Sequence, residues 1–198
     1  MFRAFIAIQL SDDLKRQIDR LQADLRRQVS KLGASGEIGW VKSAGIHLTL
    51  KFLGETEEAQ VEALGAVLRE AASKGEPFTL EARGVSAFPN VRAPRVIWLG
   101  LHGESRAMDA LSRLQAAVDD GAVKLGFPKE SRAFAPHLTL ARVRDRRPGG
   151  PLERVLAESR DRVVGGWTAG SVSLIKSDLR PSGAVYTTLV EVPLGGGV

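Results

Sequence analysis

The chain has 198 residues, 43% of them hydrophobic and 26% charged, enough to bury a core and too apolar for a disordered segment. Lys and Arg outnumber Asp and Glu by 28 to 23, a net charge of +5 that favours an anionic partner and equally suits an ordinary soluble surface. The absence of cysteine excludes disulfides, a thiolate nucleophile and a cysteine-held zinc, and it suits a reducing compartment.

In chain order, Phe2 to Leu10 is an apolar strand too short for a signal peptide, and Ser11-Asp12-Asp13 caps a helix. The apolar stripe of that helix is Leu14, Ile18, Leu21, Leu25, Val29 and Leu32, and Gly33 to Gly36 ends it. Trp40-Val41 and a turn lead to a strand over 46–53. A second helix is capped by Thr56-Glu57-Glu58 and carries Val61, Leu64, Val67 and Leu68. Strands over 78–88 and 95–102 are antiparallel neighbours joined through Pro89 to Pro94, and a third helix covers 105–123. A strand over 137–143 follows, then the polar stretch Arg144 to Gly150, a short helix over 152–160, and strands over 167–179 and 184–192 joined by Pro181-Ser182-Gly183. No run approaches the roughly 20 apolar residues of a membrane span. A soluble, intracellular protein is expected.

Two series of these elements are alike, each with a long helix ahead of a strand that opens on the same tetrapeptide. The tetrapeptides are His47-Leu48-Thr49-Leu50 and His137-Leu138-Thr139-Leu140. The expected fold is α+β, with two antiparallel sheets in pseudo-two-fold relation around a central cleft and helices on the outer faces. On a strand, residues two apart share a face, so each motif presents a histidine beside a threonine and anchors itself through its leucines. A neutral imidazole accepts a proton and an imidazolium donates one near neutral pH, while threonine hydroxyls donate to phosphate oxygens. Four such groups suffice to hold a phosphodiester and move two protons.

One copy of the tetrapeptide is ordinary strand sequence; two copies in a chain with three histidines are not. A metal site competes, but the spacing lacks His-Glu-x-x-His and the neighbours are threonine and leucine rather than carboxylates. No nucleophile elbow accompanies the histidines. Strict alternation places Lys51 on the face of His47 and Thr49, and Phe52 among the leucines. It places Arg142 opposite His137, unless the strand end releases it. Trp40, Phe52 and Phe134 are candidates for stacking on a base, with core packing favoured for Phe52. Arg144, Arg146 and Arg147 suit either a phosphate backbone or solvent. His102, with no partner threonine, reads as a surface residue.

These residues resemble the two-histidine (2H) phosphoesterases, and more closely the LigT-like RNA 2′,3′-cyclic phosphodiesterases, also called 2′-5′ RNA ligases. The resemblance runs through 2–8 (FRAFIAI), 47–55 (HLTLKFLGE), 95–100 (RVIWLG), 134–142 (FAPHLTLAR) and the closing Gly183-Ala184-Val185-Tyr186. It implies one bilobal domain over residues 1–194 with a flexible tail at 195–198, acting in the cytoplasm as a monomer with no cofactor or metal. The implied substrate is RNA ending in a 2′,3′-cyclic phosphate, tRNA halves included, opened to a 2′-phosphate. Under the resemblance His47 is the general acid and His137 the general base, roles that the motifs themselves leave open. Thr49, Thr139 and Arg142 then bind the phosphate. The reverse reaction, with a ribose 5′-hydroxyl as attacker, makes a 2′-5′ linkage. Two further readings stand beside this one: a relative acting on another small cyclic nucleotide or a 2′-5′ oligonucleotide, and an RNA-binding module without catalysis.

Overall fold

The computed structural model describes residues 1–33, 38–144, 150–180 and 183–196. They form, in order, β1 (Phe2–Gln9), α1 (Asp12–Lys31), β2 (Ile38–Trp40), β3 (His47–Thr56), α2 (Val61–Ser73), β4 (Phe78–Phe88) and β5 (Val96–His102). α3 (Ser105–Lys124), β6 (His137–Val143), α4 (Gly150–Glu158), β7 (Val163–Ala169), β8 (Ser171–Arg180) and β9 (Gly183–Pro193) follow. Short 3₁₀ turns occupy Ser43–Gly45 and Glu58–Gln60. No described helix is long and apolar enough to cross a membrane.

The strands make two antiparallel sheets, ordered β3-β1-β8-β9 and β2-β6-β5-β4-β7. The expected α+β architecture with two antiparallel sheets therefore holds. The pseudo-symmetry is specific: β1-α1 precedes β3, β5-α3 precedes β6, and each histidine strand pairs with the strand that opens its own series. The helices cross over. α1 leaves the first sheet to pack against β7 of the second sheet and against α4, while α3 packs against β3 of the first sheet and keeps contact with β4 of its own.

Local chemistry accounts for most element ends. The Ser11 hydroxyl accepts from the Leu14 amide at 3.3 Å, and Asp12 and Asp13 sit where the positive end of the helix dipole favours them. Leu14, Ile18, Leu21, Leu25 and Val29 are buried as the stripe requires, but α1 stops at Lys31 and Leu32 is 40% exposed. α2 begins at Val61, after a capping box between Glu57 and Gln60, because Thr56 is the last residue of β3.

Two strand assignments change. The short β2 adds an edge strand beside β6 where the sequence assigns no element. The single strand expected over 167–179 is two: the chain passes from one sheet to the other at Gly170, β7 pairing with β4 and β8 with β1 and β9. Apolar alternation persists through both pieces, so the pattern carried no sign of the crossing. Gly195 donates its backbone N–H to the Ala72 carbonyl at 3.2 Å, and Pro181, Ser182, Gly197 and Val198 lie outside the described residues.

Candidate active site

Each histidine stands at the first residue of its strand, paired in register with Gln9 and Gly100 respectively. Leu48, Leu50, Leu138 and Leu140 enter one common core, each at most 4% exposed. His47, Thr49, His137 and Thr139 are half-buried on the opposite faces of the same strands. β3 and β6 also lie against each other, which brings the two histidine strands together where the sheets meet.

The rings are fixed in the same way. His47 Nδ1 lies 2.9 Å from the Gly45 carbonyl and His137 Nδ1 2.7 Å from the Ala135 carbonyl, in each case two residues upstream. A carbonyl only accepts, so Nδ1 carries the proton and Nε2 is the nitrogen left for chemistry. Aromatic side chains hold the imidazoles from the flank. Phe5 stacks on His47 at 4.4 Å between ring centres and Tyr186 meets it edge-on at 5.3 Å; Phe88 meets His137 edge-on at 5.0 Å. Burial pushes the His47 imidazole down to about 4 from 6.5, the bond to Gly45 opposing only part of this. Opposite His137, Gly100 leaves room for the backbone of β4: a Cβ there would sit 2.7 Å from the Arg83 carbonyl oxygen.

Strict alternation breaks at the fourth residue of both motifs. Ile6 pairs with Lys51 and Ala7 with Thr49, leaving Leu50 unpaired; Ile97 pairs with Ala141 and Trp98 with Thr139, leaving Leu140 unpaired. Each is a β-bulge, and each inverts the facing of the residues after it. Arg142 is thereby exposed on the face of His137 and Thr139. Phe52 occupies the same place after His47, 67% exposed and paired with Phe5, so the expected core packing of Phe52 is wrong.

Lys51 is displaced the other way. It does not share the face of His47 but is 4% exposed in the core, ion-paired with the buried Asp119 of α3 and donating to the Pro128 carbonyl at 2.7 Å. Asp119 also accepts from the Glu130 amide at 3.3 Å, so the pair fastens β3 to the segment that leads into His137.

Trp40 pairs with the fully buried Ala141, and cross-strand partners share a face, so its indole lies on the helix side under Arg26, 5.2 Å from the ring centre. Phe134 packs partly buried against the core. His102 is exposed at the end of β5, Arg144 is exposed just past β6, and Arg146 and Arg147 lie outside the described residues. Among the described residues, no three His, Asp or Glu side chains group as metal ligands would.

The family profile described as LigT like Phosphoesterase matches residues 8–98 and 103–186. The chain belongs to this family. The LigT-like phosphoesterase is 34% identical over 187 residues to the RNA 2′,3′-cyclic phosphodiesterase of Methanothermobacter thermautotrophicus, covering 94% of this chain and 96% of that one. It is 31% identical to the protein of the same name from Aquifex aeolicus, over 98% of both chains. Its fold matches a crystal structure of a Thermus thermophilus protein with a TM-score of 0.73, at 28% identity and over 98% of both chains. This LigT-like phosphoesterase is accordingly an enzyme of phosphoester chemistry.

Proposed function

We propose that this enzyme hydrolyses RNA 2′,3′-cyclic phosphate ends to 2′-phosphates, with His47 and His137 as the proton-transfer pair. The observation that carries the reading is the duplication of one side-chain unit: two histidines with the same Nδ1 tether, each beside a threonine, on two strands that lie together. The names of the Methanothermobacter and Aquifex relatives support the substrate class.

In the reaction, His137 Nε2 takes a proton from water as the water oxygen bonds to phosphorus. The bond from phosphorus to the 3′ oxygen breaks, and His47 Nε2–H gives its proton to that oxygen. The product carries a 2′-phosphate and a free 3′-hydroxyl, and proton exchange with solvent resets the rings. Thr49 and Thr139 donate to the non-bridging oxygens, and Arg142 stabilises the charge that builds on them. Burial keeps His47 neutral in the empty site near pH 7, so the acid role requires the substrate: a phosphodiester anion beside the ring favours the imidazolium. Phe52, exposed one bulge beyond Thr49, offers its ring to a base. Run backwards with a ribose 5′-hydroxyl, the same steps form a 2′-5′ linkage.

The test is incubation of the purified enzyme with an RNA ending in a 2′,3′-cyclic phosphate, chelator present, with 2′- and 3′-phosphate products resolved. The reading predicts the 2′-phosphate, and a loss of about 10²–10⁴-fold in turnover for His47→Ala and for His137→Ala. Binding without turnover would make the protein an RNA-binding module, and turnover abolished by chelator would return the chemistry to a metal. Preference for a small cyclic nucleotide or a 2′-5′ oligonucleotide would move the substrate class.

A further inference from the structure

Leu50 and Leu140, the unpaired residues of the two bulges, each accept at the backbone carbonyl from a glutamine side chain, the Leu140 carbonyl accepting also from the Val41 amide at 2.9 Å. Gln22 of α1, 2% exposed, directs both protons of its amide at carbonyls: Leu140 at 2.9 Å and Val41 at 2.8 Å. Gln115 of α3 donates to the Leu50 carbonyl at 3.4 Å. The arrangement is crossed. α1 follows β1, the neighbour of β3, yet its glutamine braces the bulge of β6; α3 follows β5, the neighbour of β6, yet its glutamine braces the bulge of β3.

What the bulges do gives the braces their meaning. With regular alternation the fifth residue after each histidine would face the core; the bulge turns Arg142 and Phe52 to the histidine face instead. A neutral amide suits the task. It offers two protons to two buried carbonyls, as at Gln22, without the cost of burying a charge.

We propose that Gln22 and Gln115 are positioning residues of the active site, Gln22 holding Arg142 and Gln115 holding Phe52 toward the substrate, each across the pseudo-two-fold relation from the other half. The proposal rests on the phosphodiesterase reading for its substrate, but not for its geometry. It makes each helix a determinant of the site in the opposite half. Substrate affinity and phosphate contact then depend on two residues that touch neither substrate nor histidine.

The experiment is a set of double-mutant cycles in kcat/KM on RNA ending in a 2′,3′-cyclic phosphate. Arg142→Ala alone is expected to lose about 10–100-fold, the worth of a hydrogen bond to a charged group. In a Gln22→Met background the same change is expected to lose less than about threefold, because the arginine is already misplaced. Phe52→Ala is expected to cost the same in Gln22→Met as in wild type, and to lose its effect only in Gln115→Met. Additive losses in every pair would overturn the proposal and leave the glutamines as fold supports. Should Gln22→Met fail to fold, Gln22→Asn, which keeps the amide on a shorter stem, enters the same cycle. A wild-type enzyme that does not turn over this RNA would defeat the functional reading alone, and amide hydrogen exchange then decides the geometry. Faster exchange in Gln22→Met confined to residues 139–143 upholds the brace; exchange unchanged there, or raised throughout, overturns it.

Discussion

His47 is tied to its backbone, flanked by Phe5 and Tyr186, and depressed by burial to about 4 from 6.5. Between those values the unfolded chain binds a proton that the native ring refuses, so stability rises with pH across this window. The contribution is complete above pH 6.5 and is lost as pH falls toward 4, to about 3 kcal/mol by the linkage between pKa and free energy. The difference in urea unfolding between wild type and His47→Gln, followed from pH 4 to 7, is expected to show that slope; a flat difference would contradict the burial of the ring. Phe52 gives the opposite test. Because its ring is exposed, Phe52→Ala is expected to shift unfolding by less than about 0.5 kcal/mol while raising KM for RNA several-fold. At this scale His47, Thr49, His137 and Thr139 were legible from strand periodicity. Alternation exchanges the faces of Phe52 and Lys51, because the unpaired Leu50 inverts the facing of the residues up to the next register shift, at Leu53.

Lys51 shows what that inversion does to an element. The bulge at Leu50 turns its ammonium group into the core, where Asp119 and the Pro128 carbonyl receive it. Lys51→Met leaves a buried carboxylate without its cation and is expected to destabilise the fold by about 3–5 kcal/mol in urea unfolding. Lys51→Met with Asp119→Leu is expected to be more stable than Lys51→Met alone, since the orphaned charge goes too; a double variant no better than the single would show that the pair is not the unit of stability. β6 was readable to its ends because, in the sequence, His137 to Val143 is bounded by Pro136 and the polar stretch Arg144 to Gly150. The three-residue β2 is too short to carry a periodicity, and the passage from β7 to β8 hides in an unbroken apolar pattern. Partners of opposite sheets are non-local, and neither turn chemistry nor alternation encodes them.

Across the whole molecule, the repeated series of strand, helix and strand is visible in the sequence, whereas the crossing of α1 and α3 onto the opposite sheets is not. That crossing makes the two halves interdependent. Both motifs root their leucines in one core, both present histidine and threonine on the other face, and β3 and β6 meet where the sheets join. One reaction served by both histidines is the central claim, and its most direct test compares His47→Ala, His137→Ala and the double variant in single-turnover cleavage of an RNA 2′,3′-cyclic phosphate. Residues that act as one unit lose their joint contribution when either is removed. The double variant is therefore expected to be no slower than the slower single variant, within about threefold. Losses that multiply in the double variant would mean that the two histidines act in independent steps, and would contradict the account.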